Sequence, residues 1–100
     1  MLREVVAEEL TRIGDADERL KLVTVTGVVA DPDLRHACVY LASLPDDAAE
    51  ALAEHRRRIQ AAIGAEVRMR RTPTLVFEAD PAIAAAERVE RVLRDHRKQS

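Results

Sequence analysis

The chain has 100 residues, 34% of them charged, with a formal net charge of −2. That length suits one domain, residues 1–100, able to bury a modest core without disulfides or metal. The single cysteine, Cys38, excludes an intramolecular bridge and fits a reducing compartment. Charges interleave with apolar residues from Met1 to Leu10, so neither a signal peptide nor a membrane span is expected and the chain is read as cytoplasmic.

Leu2, Val5, Val6, Leu10 and Ile13 recur at helical spacing until Gly14-Asp15, which predicts a first helix. Leu20 to Ala30 and Leu34 to Ser43 alternate with period two around Asp31-Pro32-Asp33, turn chemistry between β-branched segments, and predict an antiparallel pair. Pro45-Asp46-Asp47 opens a second helix with the stripe Ala48, Leu52, His55, Ile59, Ala62 and Ile63. Its first turn is acidic, as the helix dipole favours, and Gly64 is expected to stop it. A third strand is expected from about Glu66 to Glu78, with Val67, Met69, Leu75 and Phe77 on one side and Arg68 and Arg70 on the other. Pro73 inside that strand implies an edge position or a bulge, because proline cannot donate to a ladder. Asp80-Pro81 starts a last helix with Ile83, Ala86, Val89, Val92 and Leu93 expected inward. Helix, strand, strand, helix, strand, helix is an α+β layer with helices on one face of a small sheet.

Charge is unevenly partitioned along the chain. Residues 1–54 hold 5 basic against 12 acidic side chains, net −7, whereas residues 55–71 hold 6 arginines against Glu66 alone, net +5. Arginine suits bidentate phosphate contact, and a dipolar charge distribution orients the approach of a polyanion. The alternative is a solvated basic face that balances the acidic half. Tyr40 and Phe77 are the only aromatics, so base-stacking platforms are scarce. His36 and Cys38 share one face of a strand, but no further ligand or base is arranged near them, and no metal or nucleophile site is assigned. Asp31 and Asp33 read as turn formers, and glycine-rich phosphate loops are absent. No catalytic residue is assigned.

Three passages carry a resemblance: Val23-Thr24-Val25-Thr26-Gly27-Val28, then Pro32-Asp33-Leu34-Arg35-His36-Ala37-Cys38-Val39-Tyr40, then Arg70-Arg71-Thr72-Pro73-Thr74-Leu75-Val76-Phe77 with Asp80 after it. With the element order, they make a chain that resembles the bacterial ribosome-binding factor A family over nearly its whole length. The resemblance implies a type II KH-like fold, α-β-β-α-α-β plus a C-terminal helix, with a three-stranded sheet and helices on one face. It implies a monomeric ribosome assembly factor, not an enzyme and without a cofactor, that binds the small ribosomal subunit and its 16S rRNA during late maturation and rRNA processing. The expected RNA-binding residues are Arg56, Arg57, Arg58, Arg68, Arg70 and Arg71.

The chain departs from the family pattern at several positions. The family breaks its second helix at an Ala-x-Gly kink, and ungapped counting back from Pro73 places that kink on His55-Arg56-Arg57. The helix there should either bend less than in relatives or bend without glycine. A family arginine shortly after the kink falls on Gln60, and the N-terminus lacks the basic lead-in common in relatives. The competing functional reading is therefore a KH-like protein-interaction module that has lost nucleic-acid binding.

Overall fold

The computed structural model describes residues 2–33, 35–67 and 72–98. The elements run α1 (Leu2–Gly14), a 3-10 turn (Glu18–Leu20), β1 (Val25–Ala30), β2 (His36–Leu41), α2 (Asp46–Glu54), α3 (Arg56–Glu66), β3 (Thr74–Ala79) and α4 (Pro81–Lys98).

The sheet forms because β2 alternates apolar-in and mixed-out. Ala37, Val39 and Leu41 are fully buried, while His36, Cys38 and Tyr40 face away from the helices. β2 is central, β1 pairs with it antiparallel, and β3 pairs with it parallel after the crossover through α2 and α3. The Asp31-Pro32-Asp33 link behaves as turn chemistry: Arg35 N–H donates to Asp33 Oδ1 at 3.0 Å. The β1–β2 register shifts between Val25 and Gly27, leaving Thr26 as a bulge. Its hydroxyl donates to Asp80 Oδ2 at 2.7 Å, and Asp80 Oδ1 accepts the Ala82 N–H at 2.9 Å. Asp80 thereby caps α4 and ties its start to β1. Those donors, the Thr26 hydroxyl foremost, hold the Asp80 carboxyl below its ordinary range.

One core joins the inner sheet face to α1, α2 and α3. Val6, Leu10 and Ile13 of α1, Ala48, Ala51 and Leu52 of α2, and Ile59 and Ile63 of α3 close over Ala37, Val39, Leu41 and Leu75. Gly14 ends α1 with no room to spare, since a Cβ there would stand 3.0 Å from the Leu20 carbonyl oxygen.

Several expectations need correction. β1 begins at Val25, because Leu20 is drawn into the core from the 3-10 turn and Leu22 is exposed. Gly64 does not stop the helix: α3 runs on to Glu66, and Val67 N–H still bonds the Ile63 carbonyl at 2.9 Å. Residues on either side are good helix formers, and Ile59 and Ile63 anchor the turn, which outweighs a helix-interior glycine cost of about 1 kcal/mol. A Cβ on Gly64 would stand 3.0 Å from Thr72 Oγ1, so the glycine admits the segment returning to β3. The third strand therefore begins at Thr74, with Pro73 buried just before it at the sheet edge. Arg68, Met69, Arg70 and Arg71 lie outside the described residues.

The largest departure is α4. Its stripe was expected inward, yet Val89, Val92 and Leu93 are 58%, 60% and 52% exposed and no described α4 residue is buried. The helix projects from the body, giving a longest dimension of 58 Å and a radius of gyration of 16.0 Å. A compact chain of this length would have about 13 Å. Truncation after Ala84 is accordingly expected to leave the urea-unfolding free energy of the body within about 1 kcal/mol of the full chain, because it removes no core side chain.

Candidate nucleic-acid interface

α3 opens with three consecutive arginines, Arg56, Arg57 and Arg58, in the turn where the helix dipole already places positive potential. No acidic residue stands in that turn, and His55 supplies no side-chain cap. Cations here work against the local field, so the arrangement costs stability and favours an anion. Among the described residues no ion pair engages Arg56 or Arg57. Arg58 leans the other way, with Nε 3.7 Å from Glu9 Oε1. Glu9 is a buried carboxylate of α1 that also accepts from Arg12 at 2.8 Å.

The structure therefore brings three of the six expected arginines to one helix end, with Arg56 and Arg58 turned to different neighbours. Arg56 borders a cleft of about 220 Å³ between α2 and β3, walled by Leu44, Leu52, Leu75, Val76 and Phe77. Arg58 faces α1, while Arg68, Arg70 and Arg71 lie outside the described residues.

The helix does bend at the position counted for the kink, and it does so without glycine. His55 separates α2 from α3 with φ −91° and ψ 5°, a bridge-region conformation at negative φ that does not call for glycine. Its N–H bonds the Ala51 carbonyl at 3.0 Å and its carbonyl accepts Ile59 N–H at 3.0 Å, so the interruption is confined to one residue. His55 Nε2 lies 2.9 Å from Asp17 Oδ2. The Asp17 carboxylate also accepts the Arg19 guanidinium at 2.8 and 3.0 Å, and Arg19 reaches on to Glu54. Arg19 first and His55 second hold Asp17 far below the ordinary carboxylate range, so it is ionised and the imidazole Nε2 must be the donor.

Gln60 carries a role that residue type alone did not reveal. Its Oε1 accepts Leu75 N–H at 2.8 Å and its Nε2 donates to the Pro73 carbonyl at 3.1 Å. The carboxamide thus mimics a strand partner on the free edge of β3 and fixes the wall of the cleft against α3. An arginine in its place would have no acceptor for Leu75 N–H. Sequence signals for the bend cluster existed only faintly, as the Asp17-Glu18-Arg19 start of the 3-10 turn.

Burial, ahead of smaller effects, raises the Cys38 thiol, whose Sγ stands 3.5 Å from Glu78 Oε2, which disfavours a thiolate. Among the described residues no group of three or more His, Cys, Asp or Glu side chains could hold a metal ion. No described helix is long and apolar enough to cross a membrane.

The model of the family described as ribosome-binding factor A matches residues 1–93. The chain belongs to the ribosome-binding factor A family. Within it, the Rubrobacter xylanophilus ribosome-binding factor A is 46% identical over 99 residues, covering 94% of this chain and 80% of that one. The Micrococcus luteus ribosome-binding factor A is 39% identical, covering 93% and 66%. The crystal structure of ribosome-binding factor A from Thermus thermophilus superposes with a TM-score of 0.70 at 36% identity, covering 78% of this chain and 86% of that one. A Thermus thermophilus homology model fitted into a cryo-EM map of a 30S complex gives a TM-score of 0.68 at 36% identity, covering 81% and 89%. The α+β sheet and its helices are those of a KH-like fold, as the family implies.

Proposed function

We propose that this chain is a ribosome assembly factor that binds the small ribosomal subunit and its 16S rRNA during late maturation. The supporting observation is the uncompensated cationic end of α3, where Arg56 and Arg57 stand exposed and without an ionic partner among the described residues. A family relative fitted into a map of a 30S complex supports the same partner. Arg56, Arg57 and Arg58, together with Arg68, Arg70 and Arg71, would contact phosphates and read backbone shape. No catalytic step is required of them. Base stacking plays little part, because Tyr40 faces the far side of the sheet and Phe77 is half-buried against the core.

Binding of purified small subunits should weaken as salt rises, because phosphate neutralisation releases condensed counterions. About four to six phosphate contacts correspond to a log-log slope of roughly −3 to −5. Sedimentation across a salt series measures it. An affinity that ignored salt would favour the interaction-module reading, for which the Arg58–Glu9 contact is the supporting feature.

A further inference from the structure

We propose that Asp17 and His55 form a tether that sets the bend between α2 and α3 and so aims Arg56 and Arg57 at the polyanion, making both positioning residues for docking. The proposal rests on the functional reading just given.

Nothing local demands a bend here. From Asp46 to Ile63 the chain holds neither proline nor glycine, and alanine, glutamate, arginine and glutamine are good helix formers. Sharp bends otherwise arise at proline, at glycine–serine pairs, at π-bulges or where a side chain or water enters the ladder. The ladder resumes immediately after His55, as its carbonyl bond to Ile59 shows. What remains is tertiary. Two adjacent side chains at the bend, Glu54 and His55, are both gripped by the 3-10 turn and its cap: Glu54 by Arg19, and His55 by Asp17. Asp17 and Arg19 are themselves locked together through the Arg19 backbone N–H at 3.1 Å and two guanidinium bonds. The Asp17 side chain is 14% exposed and His55 27%, so this contact is sheltered where a surface ion pair would be screened. With the end of α2 held there, Ile59 and Ile63 seat α3 independently in the core, and the arginines between these two anchors inherit their direction from the bend.

Asp17→Asn gives a test in which two mechanisms predict opposite signs. Removing a carboxylate near a cationic surface should tighten binding if net charge alone governs attraction. Loss of the tether should instead weaken small-subunit binding about tenfold, comparable to one charge-assisted contact, with little change in salt slope. His55→Leu should weaken it similarly, the double variant no further, and His55→Gln, whose amide can still donate to Asp17, should retain most affinity. Spin labels at the exposed positions Glu50 and Ala65 report the bend without any ribosome present. Their distance distribution should be narrow in the unmutated bend and shifted or broadened in Asp17→Asn and His55→Leu. An unchanged distribution, or binding by Asp17→Asn that equals or exceeds the parent, overturns the tether. A parent chain that ignores small subunits would sink the functional reading instead, while the label distances would still decide whether the tether sets the bend.

Discussion

Arg56→Glu combined with Arg57→Glu is expected to remove small-subunit binding without destabilising the fold. Both side chains are exposed and without an ionic partner among the described residues, so reversal breaks no ion pair there. Each glutamate would replace a cation at the positive end of the α3 dipole, so the melting temperature should hold or rise. Binding should move the opposite way. Losing two phosphate contacts flattens the salt slope by about two, and like-charge repulsion adds to the loss, for an expected drop of roughly 100-fold or more. Sedimentation with purified subunits and a thermal melt on the same preparation check both halves. Arg58→Glu should behave differently: it would set a carboxylate beside the buried Glu9, which accepts from Arg12, and stability should fall. A double variant that still sediments with subunits at low salt would show that the helix end is not the docking element.

Ile63→Ala should produce the largest loss of stability. Ile63 is fully buried on α3, where α1 and the sheet close over it, and truncation leaves a cavity that the flanking elements cannot collapse to fill. The expected cost is about 2–5 kcal/mol, a large share of the roughly 5–15 kcal/mol available to a domain. Urea unfolding should show a reduced midpoint with an unchanged slope. Leu93→Ala offers the contrast, since Leu93 lies 52% exposed on α4, outside the core. If Ile63→Ala were as mild as a surface change, the placement of the core would be wrong.

Much of the body was legible in residue order. Val6, Leu10 and Ile13 sit where the first stripe placed them, Ala37, Val39 and Leu41 alternate inward as period two requires, and β3 is an edge strand, although it begins only after Pro73. The arginine cluster was legible as charge, because a net excess in a short window needs no fold to be counted.

The bend at His55 was not visible in the periodicity. Leu52 and Ile59 are seven residues apart, only about 20° short of two full helical turns, so a straight helix and a bent one bury the same stripe. The residues that grip the bend, Asp17 and Arg19, stand 38 and 35 residues from their partners in sequence and meet them only when the 3-10 turn packs on α2. Gln60 read as a missing arginine until β3 supplied an exposed edge for its amide to complete. The α4 stripe shows the converse limit. Val89, Val92 and Leu93 repeat as faithfully as the α1 stripe, yet they stay exposed, because no other described element packs against that face of α4. Residue order by itself determined which face of each segment is apolar, since that is a property of spacing. Only the tertiary structure decided which of those faces found a partner, because burial requires a second surface brought there by distant parts of the chain.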